Sequence, residues 1–532
     1  MTTERVAARE ELTRSPDAPP AQLDAPVVKR RVVRMSVAIA AALVVAVALR
    51  FVTTSEMWLD EAQTLAIAVL PIPDMLDALR MDGSPPLYYL LLHGWTALFG
   101  EGDFAVRALS GVFAVAALPV IWIVGRRLSG DRFVAWASML LLAGCPFAIR
   151  YATEARMYSL LTLLVLLGVP AVLALRRPGP LPVVGVAAMS GALALTHYWT
   201  FFLLGILGAA FGWLALRPRS EDPLRAVGWR GLAGLALGAV PFLPWLPTFV
   251  FQLQHTGAPW GGSAWFTSAL AVVDGWAGGG LPGQTLGLLY WALAVLAVAG
   301  RSGTLGRLVL ERPRPSVPAA LALLSFGPLV VGLGLSYLGG SAYALRYSAI
   351  VVGLFMVLLA FGVRVVGPAV RWPLLAALVA LGLISAGMDV ANSRTQAGEV
   401  AEKLRAEGQP GDVVVVCPDQ LGPALRRQLP GEELVQVAYP TLNDPARVNW
   451  VDYEQRNNAA DPASFARTVT RMAGGDGRVW LVYEQGYLTF GDQCSQLRDA
   501  LARRHPISVT MIESEGSVFE HENLVLYFPR RT

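Results

Sequence analysis

Apolar runs of roughly 20 residues recur along this chain between positions 35 and 392, and that is the length a helix needs to cross a bilayer. Short polar loops separate the runs, and they alternate in kind. One set is basic: the arginine-rich entry near position 30, Arg126-Arg127 with Arg132, Arg176-Arg177, residues 217–230, residues 301–314, and Arg364 with Arg371. The other set carries acidic and aromatic residues: 52–103, 150–156, His197-Tyr198-Trp199, 251–265 and 338–346. Basic loops stay in the cytoplasm, so the alternation predicts a multi-pass protein with its amino terminus inside and its carboxyl terminus outside the cell membrane. About eleven spans fit the pattern. Residues 266–281, broken by Gly and Asp274, resist assignment and bear on that number.

The pattern changes at both ends. Residues 1–28 are polar and without period, which predicts a disordered cytoplasmic tail. Lys29-Arg30-Arg31 and Arg34 then precede an apolar run over 35–51 with no convincing cleavage site, the form of an uncleaved signal-anchor. The transmembrane domain is thus expected over 29–392, with a first external loop at 52–103. From 393 to 532 the chain reads as a soluble, extracytoplasmic α/β domain. Val413-Val414-Val415-Val416 and Val479-Trp480-Leu481-Val482-Tyr483 are buried-strand runs, and 397–407, 462–473 and 493–504 have helical spacing. Gly474-Gly475-Asp476-Gly477 is a turn and lacks the strand-to-helix context of a phosphate loop.

Composition agrees with this division. Of 532 residues 54% are hydrophobic and 15% charged, against the quarter usual in soluble domains. The net charge of +4 sits in arginine pairs between apolar runs, so no nucleic-acid partner is expected. Three cysteines cannot make a disulfide framework; Cys417 and Cys494 could pair, but the sequence does not decide it.

The acidic loops carry the candidate chemistry. Trp58-Leu59-Asp60-Glu61 sets two carboxylates just after an apolar run, where ionised groups need a partner or a task. Adjacent helical residues point about 100° apart, so Asp60 and Glu61 should do different jobs. One of them suits a general base; a helix cap is the plainer alternative. Residues 62–81, with Pro71 and Pro73, read as lying along the interface, and Ser84-Pro85-Pro86 as opening another helix. Asp82 is then a further acid on the outer face, with Tyr88, Tyr89, His93 and Trp95 at headgroup depth. Arg150, Glu154 and Tyr158 would share one helical stripe, an ion pair explaining the first two, while Arg156 falls on another face. Arg156, and Arg346 beside Tyr347, are candidates to grip a phosphate with a planar fork. His197 and His255 lack neighbours that would make a metal site.

These parts suit attack by an acceptor hydroxyl on a sugar linked through phosphate to a long isoprenoid. The apolar tail needs lipid, the hydroxyl a base, and the departing phosphate positive charge. Transport is a competing reading, but it predicts charges at span centres, and the apolar runs are mostly clean. A non-catalytic envelope scaffold with an external binding domain is another.

Trp58-Leu59-Asp60-Glu61, the segment from Asp82 to Tyr89 and the segment from Arg150 to Tyr158, in that order, resemble the GT-C membrane glycosyltransferases, most closely the glycosyltransferase 39, PMT-2 or RgtA/B/C/D-like group. The likeness covers roughly residues 35–365. It implies a polytopic α-helical membrane protein of GT-C type and an inverting transfer from a polyprenyl-phosphate sugar to a glycan, glycolipid or protein acceptor. By the resemblance Asp60 is the base and Glu61 its neighbour, assisting placement of acceptor or donor. Relatives often have histidine where this chain has Ser84, while Asp82 matches. No cofactor is implied, and a divalent metal is left open.

Overall fold

The computed structural model describes residues 25–217, 223–257, 261, 267–302, 308–338, 343–431, 433–474 and 477–529. Of the tail expected at 1–28, residues 1–24 lie outside the described residues, as do parts of the loops at 217–230, 251–265, 301–314 and 338–346 and positions 475–476 of the glycine turn; residues 25–28 open a helix, Ala25–Leu49, instead of belonging to a disordered tail. The chain forms two compact units, Met1–Val44 and Val45–Thr532. What is described of the first is helical. The second holds both the remaining helices and the α/β region from residue 393 onward.

Among the described residues six helices are long and apolar enough to cross a membrane: Asp103–Ser129, Pro223–His255, Gly280–Ala299, Val317–Leu338, Leu345–Val365 and Pro368–Ala391. Six shorter apolar helices accompany them, including Arg132–Ala143 and Tyr158–Ala174. Residues 349–363 are all buried, as expected of a helix apolar on every side. Small residues allow close approach along it. A Cβ at Gly362 would lie 2.1 Å from the Leu293 carbonyl oxygen, so only glycine lets the two backbones meet.

Two short helices replace the single interfacial segment expected at 62–81. Leu59–Ala68 ends before Pro71 and Pro73, and Ile72–Asp82 starts on that proline pair. Proline lacks the N–H an interior turn needs but suits a first turn, which accounts for the break. Gly83 closes the second helix with φ +87°, a left-handed value that a side chain resists. The helix Leu87–Phe99 then follows Ser84-Pro85-Pro86 as read from the sequence.

The expected stripe of Arg150, Glu154 and Tyr158 on one helix is overturned. Helix Pro146–Arg150 stops, residues 151–157 form turns, and a new helix runs over Tyr158–Ala174. The Arg150–Glu154 ion pair still forms across the turn, at 2.8 Å.

Beyond residue 393 lies a sheet covered by helices on both faces. After a hairpin of β1 (Gly300–Ser302) and β2 (Leu308–Leu310), the sheet uses β3 (Val413–Cys417), β4 (Val435–Ala438), β5 (Val479–Tyr483), β6 (Ser508–Ile512) and β7 (Asn523–Tyr527), in the order β4-β3-β5-β7-β6. β3 is parallel to both neighbours, and β7 is antiparallel to β5 and β6. Val413 and Val415 pack into one core and Val414 and Val416 into the other, which is why the run is continuously apolar. The helices read at 397–407, 462–473 and 493–504 are present. A disulfide joins Cys417 at the end of β3 to Cys494.

Candidate active site

Asp60 lies in the first turn of Leu59–Ala68 and Glu61 one step further round it. The structure separates them. Glu61 is fully buried and makes a two-pronged ion pair with Arg107, Nε donating to Oε1 at 2.7 Å and Nη2 to Oε2 at 2.6 Å. It also accepts the Ala155 N–H at 2.9 Å. Arg107 spends its other hydrogens on the carbonyls of Ser55 and Glu56. Glu61 therefore binds three segments together: its own helix, the span Asp103–Ser129 and the turn at 151–157.

Asp60 faces a cavity of about 290 Å³ lined also by Gln63, Asp82, Ser84, Arg156, Tyr158, His197, Arg346, Tyr347 and Trp450. Two guanidinium groups approach its Oδ2, Arg346 at 3.5 Å and Arg156 at 3.9 Å. Both distances exceed a good charged hydrogen bond, and Oδ2 has no hydrogen-bond partner among the described residues although it is buried. Arg156 is held from the other side: Nη1 donates to Thr64 Oγ1 at 2.7 Å, and Thr64 donates to the Asp60 carbonyl at 2.6 Å. Burial by itself disfavours the Arg156 charge, but Asp60, with Tyr89, Tyr158 and Asp82 adding to it, outweighs burial and holds the guanidinium well above its ordinary pKa.

The far wall holds the second acid. Asp82 accepts from the Gln63 amide at 2.5 Å and from the Tyr89 hydroxyl at 3.0 Å. Tyr89 also lies 3.4 Å from Arg156, so the two carboxylates and one arginine share a network. An aromatic side is made by His197, Trp199 and Tyr347, with rings 5.0–5.3 Å apart. Burial, then the positive charges of Arg156 and Arg346, push the His197 imidazole down to about 3, so it is neutral.

Asp60, Asp82, Arg156, Tyr158, Arg346 and Tyr347 thus come together on one cavity. The other candidates, Glu61, Tyr88, Arg150 and Glu154, are not among its lining. Glu61 is on Arg107; Tyr88 is buried against Ser110 at 3.0 Å, and Ser110 donates to the Arg156 carbonyl. Arg150 bonds Asp389 and Glu154, while Arg394 reaches Glu154 at 3.6 Å. His255 pairs with Asp452 at 2.9 Å, also off the cavity. Among the described residues no group of three or more His, Cys, Asp and Glu side chains could hold a metal ion. Sequence reading missed Gln63, Arg107 and Trp450. Gln63 sits three residues after Asp60, a spacing that puts it on the same helical face, and Arg107 is a lone charge near the start of an apolar run; both were findable. Trp450 carries no such signal.

Residues 83–247 match the family model described as dolichyl-phosphate-mannose-protein mannosyltransferase. No curated protein matches the sequence. A crystal structure of ArnT from Cupriavidus metallidurans in the apo state superposes with a TM-score of 0.58 at 13% identity, over 94% of this chain and 98% of that one. The same transferase bound to undecaprenyl phosphate gives 0.55 at 13% identity, over 92% and 97%. The fold is that of the GT-C membrane glycosyltransferases. The family match begins at Gly83, so it covers Arg156 and Tyr158 but not Asp60.

Proposed function

We propose that this protein transfers a sugar from a polyprenyl-phosphate donor to an acceptor hydroxyl on the external face of the cell membrane, with inversion at the anomeric carbon. The observation that carries the reading is Asp60 Oδ2, buried between two guanidinium groups in a cavity and without a hydrogen-bond partner among the described residues. The acceptor hydroxyl donates its proton to Asp60 while its oxygen bonds to the anomeric carbon. On the opposite side the bond from that carbon to the phosphate oxygen breaks, and the phosphate leaves with its electron pair. Arg156 and Arg346, which border the same cavity as Asp60, receive that charge. The bound undecaprenyl phosphate of the similar ArnT structure supports a lipid-phosphate donor. The acceptor, a glycan, glycolipid or protein, is left to experiment. About eleven spans, an internal amino terminus and an external α/β region complete the proposal.

The test is transfer by purified protein from a panel of radiolabelled polyprenyl-phosphate sugars. Asp60→Asn should lower turnover by about 100- to 10,000-fold, the range for losing a general base. Arg346→Ala should lower kcat/KM for the donor by about 10- to 100-fold, as expected on losing a charged hydrogen bond to the phosphate. Full turnover in Asp60→Asn would sink the mechanism.

A further inference from the structure

The helix that carries Asp60 has no cap of its own. Trp58 stands at the N-cap position and offers no side-chain acceptor to the free N–H groups of the first turn. The acceptor comes from 461 residues away: both carboxyl oxygens of Glu520 lie 3.3 Å from the Leu59 nitrogen. Glu520 is buried and its backbone is fixed on both sides. Its N–H donates to the Arg394 carbonyl at 2.9 Å, and its carbonyl accepts from Gln396 at 3.0 Å. Phe519 sets its ring edge-on to Trp58 at 5.1 Å. Arg394 extends the same tie to the second half of the site. Its N–H donates to Ser55 Oγ at 2.8 Å, and its guanidinium donates to the carbonyl and hydroxyl of Thr153, three residues before Arg156.

We propose that Glu520 is a positioning residue for Asp60: by accepting the Leu59 N–H it fixes the first turn of the helix, so the α/β region sets the geometry of a cavity that it lines only through Trp450. This rests on the reading of Asp60 as the base. Burial, with Asp60 and Glu61 adding to it, pushes the Glu520 carboxyl up to about 8. At neutral pH it is largely a neutral acid, and one carbonyl oxygen suffices for the bond. Glutamine presents the same oxygen at the same reach, so Glu520→Gln should preserve the cap. Alanine removes the acceptor, and aspartate shortens its reach.

Two measurements on the full-length protein decide it. Hydrogen–deuterium exchange of residues 57–68 needs no substrate: Glu520→Ala and Glu520→Asp should exchange faster there by at least tenfold, and Glu520→Gln at the wild-type rate. Turnover with a polyprenyl-phosphate sugar should follow, since displacement by about 1 Å can cost about 100-fold. Ala and Asp should lose 10- to 100-fold in kcat with unchanged affinity for undecaprenyl phosphate, while Gln keeps wild-type kcat. Should the Ala variant fail to fold, Gln against Asp still decides. Wild-type exchange in the Ala or Asp variant, or a Gln variant as impaired as Asp, overturns the positioning role. Altered exchange with full turnover in both Glu520→Ala and Asp60→Asn would instead overturn the role of Asp60 as base.

Discussion

Asp60 and Glu61 are neighbours in sequence, and their fates are decided by which way each points. A step of about 100° along the helix sends one carboxylate into the cavity and the other into the protein. Glu61 meets Arg107 with no exposed surface and neutralises it with two short hydrogen bonds. Removing one partner of such a pair strands the other charge, at a cost of about 3–5 kcal/mol. Glu61→Gln should therefore lower the melting temperature sharply, and Asp60→Asn by less, because Asp60 borders a cavity at 3.5–3.9 Å from its arginines and makes no short hydrogen bond to either. Thermal unfolding of both variants checks this; equal melting temperatures would place the two acids in one role. The divergence of the pair was legible in the sequence. Which acid served structure was not, because Arg107 lies 46 residues on and nothing local links it to Glu61. Tyr88 and Tyr89 repeat the lesson, for only Tyr89 reaches Asp82.

At the scale of elements, legibility followed how much of the signal was local. The runs 413–417 and 479–483 announced strands because both faces of each are covered, so every residue is apolar. β6 escaped notice as an edge strand with mostly exposed residues, and β4 as four residues including Gln436. The stripe over 150–158 misled for the opposite reason: its spacing is helical, but buried ties from Glu61 to the Ala155 N–H and from Arg394 to Thr153 shape the segment into turns. Just after β3 sits Asp419, buried and accepting a hydrogen bond from the Tyr453 hydroxyl. Burial raises its carboxyl from the ordinary 3.8 to about 7. The folded state therefore holds a proton that the unfolded state gives up earlier. That contribution to stability is complete below about 3.8, declines as pH rises, and is gone above about 7. Asp419→Asn, which cannot ionise, should flatten this part of the profile and melt higher than the wild type at pH 8 but not at pH 4. Parallel pH dependence in the two proteins would place the ionisation elsewhere.

For the whole molecule everything turns on which side of the membrane holds the cavity. In the proposed orientation the basic loops lie inside: Arg126, Arg127 and Arg132 flank the turn at Ser129–Asp131, and Arg364 reaches Asp131 at 3.2 Å. The proposal puts Cys417–Cys494 outside, where such a bond persists, since cytosolic thiol pools would keep it reduced. The α/β region that holds this disulfide also bonds directly to the helices bordering the cavity. Val448 donates to Gln63 at 2.9 Å, Trp450 to the Met81 carbonyl at 3.1 Å, and Asp452 to the His255 carbonyl at 2.8 Å. Disulfide and cavity must then face the same compartment. With Cys417 and Cys494 bonded and Cys145 buried, the natural chain offers little background to a thiol probe. Ala502→Cys, on the exposed side of the helix Gln493–Arg504, should react with a membrane-impermeant maleimide in intact cells. Arg314→Cys, in the exposed loop after β2, should react only once the membrane is permeabilised. The reverse pattern would put Asp60 in the cytosol, where the basic loops could no longer be cytoplasmic and an external acceptor could not reach the base.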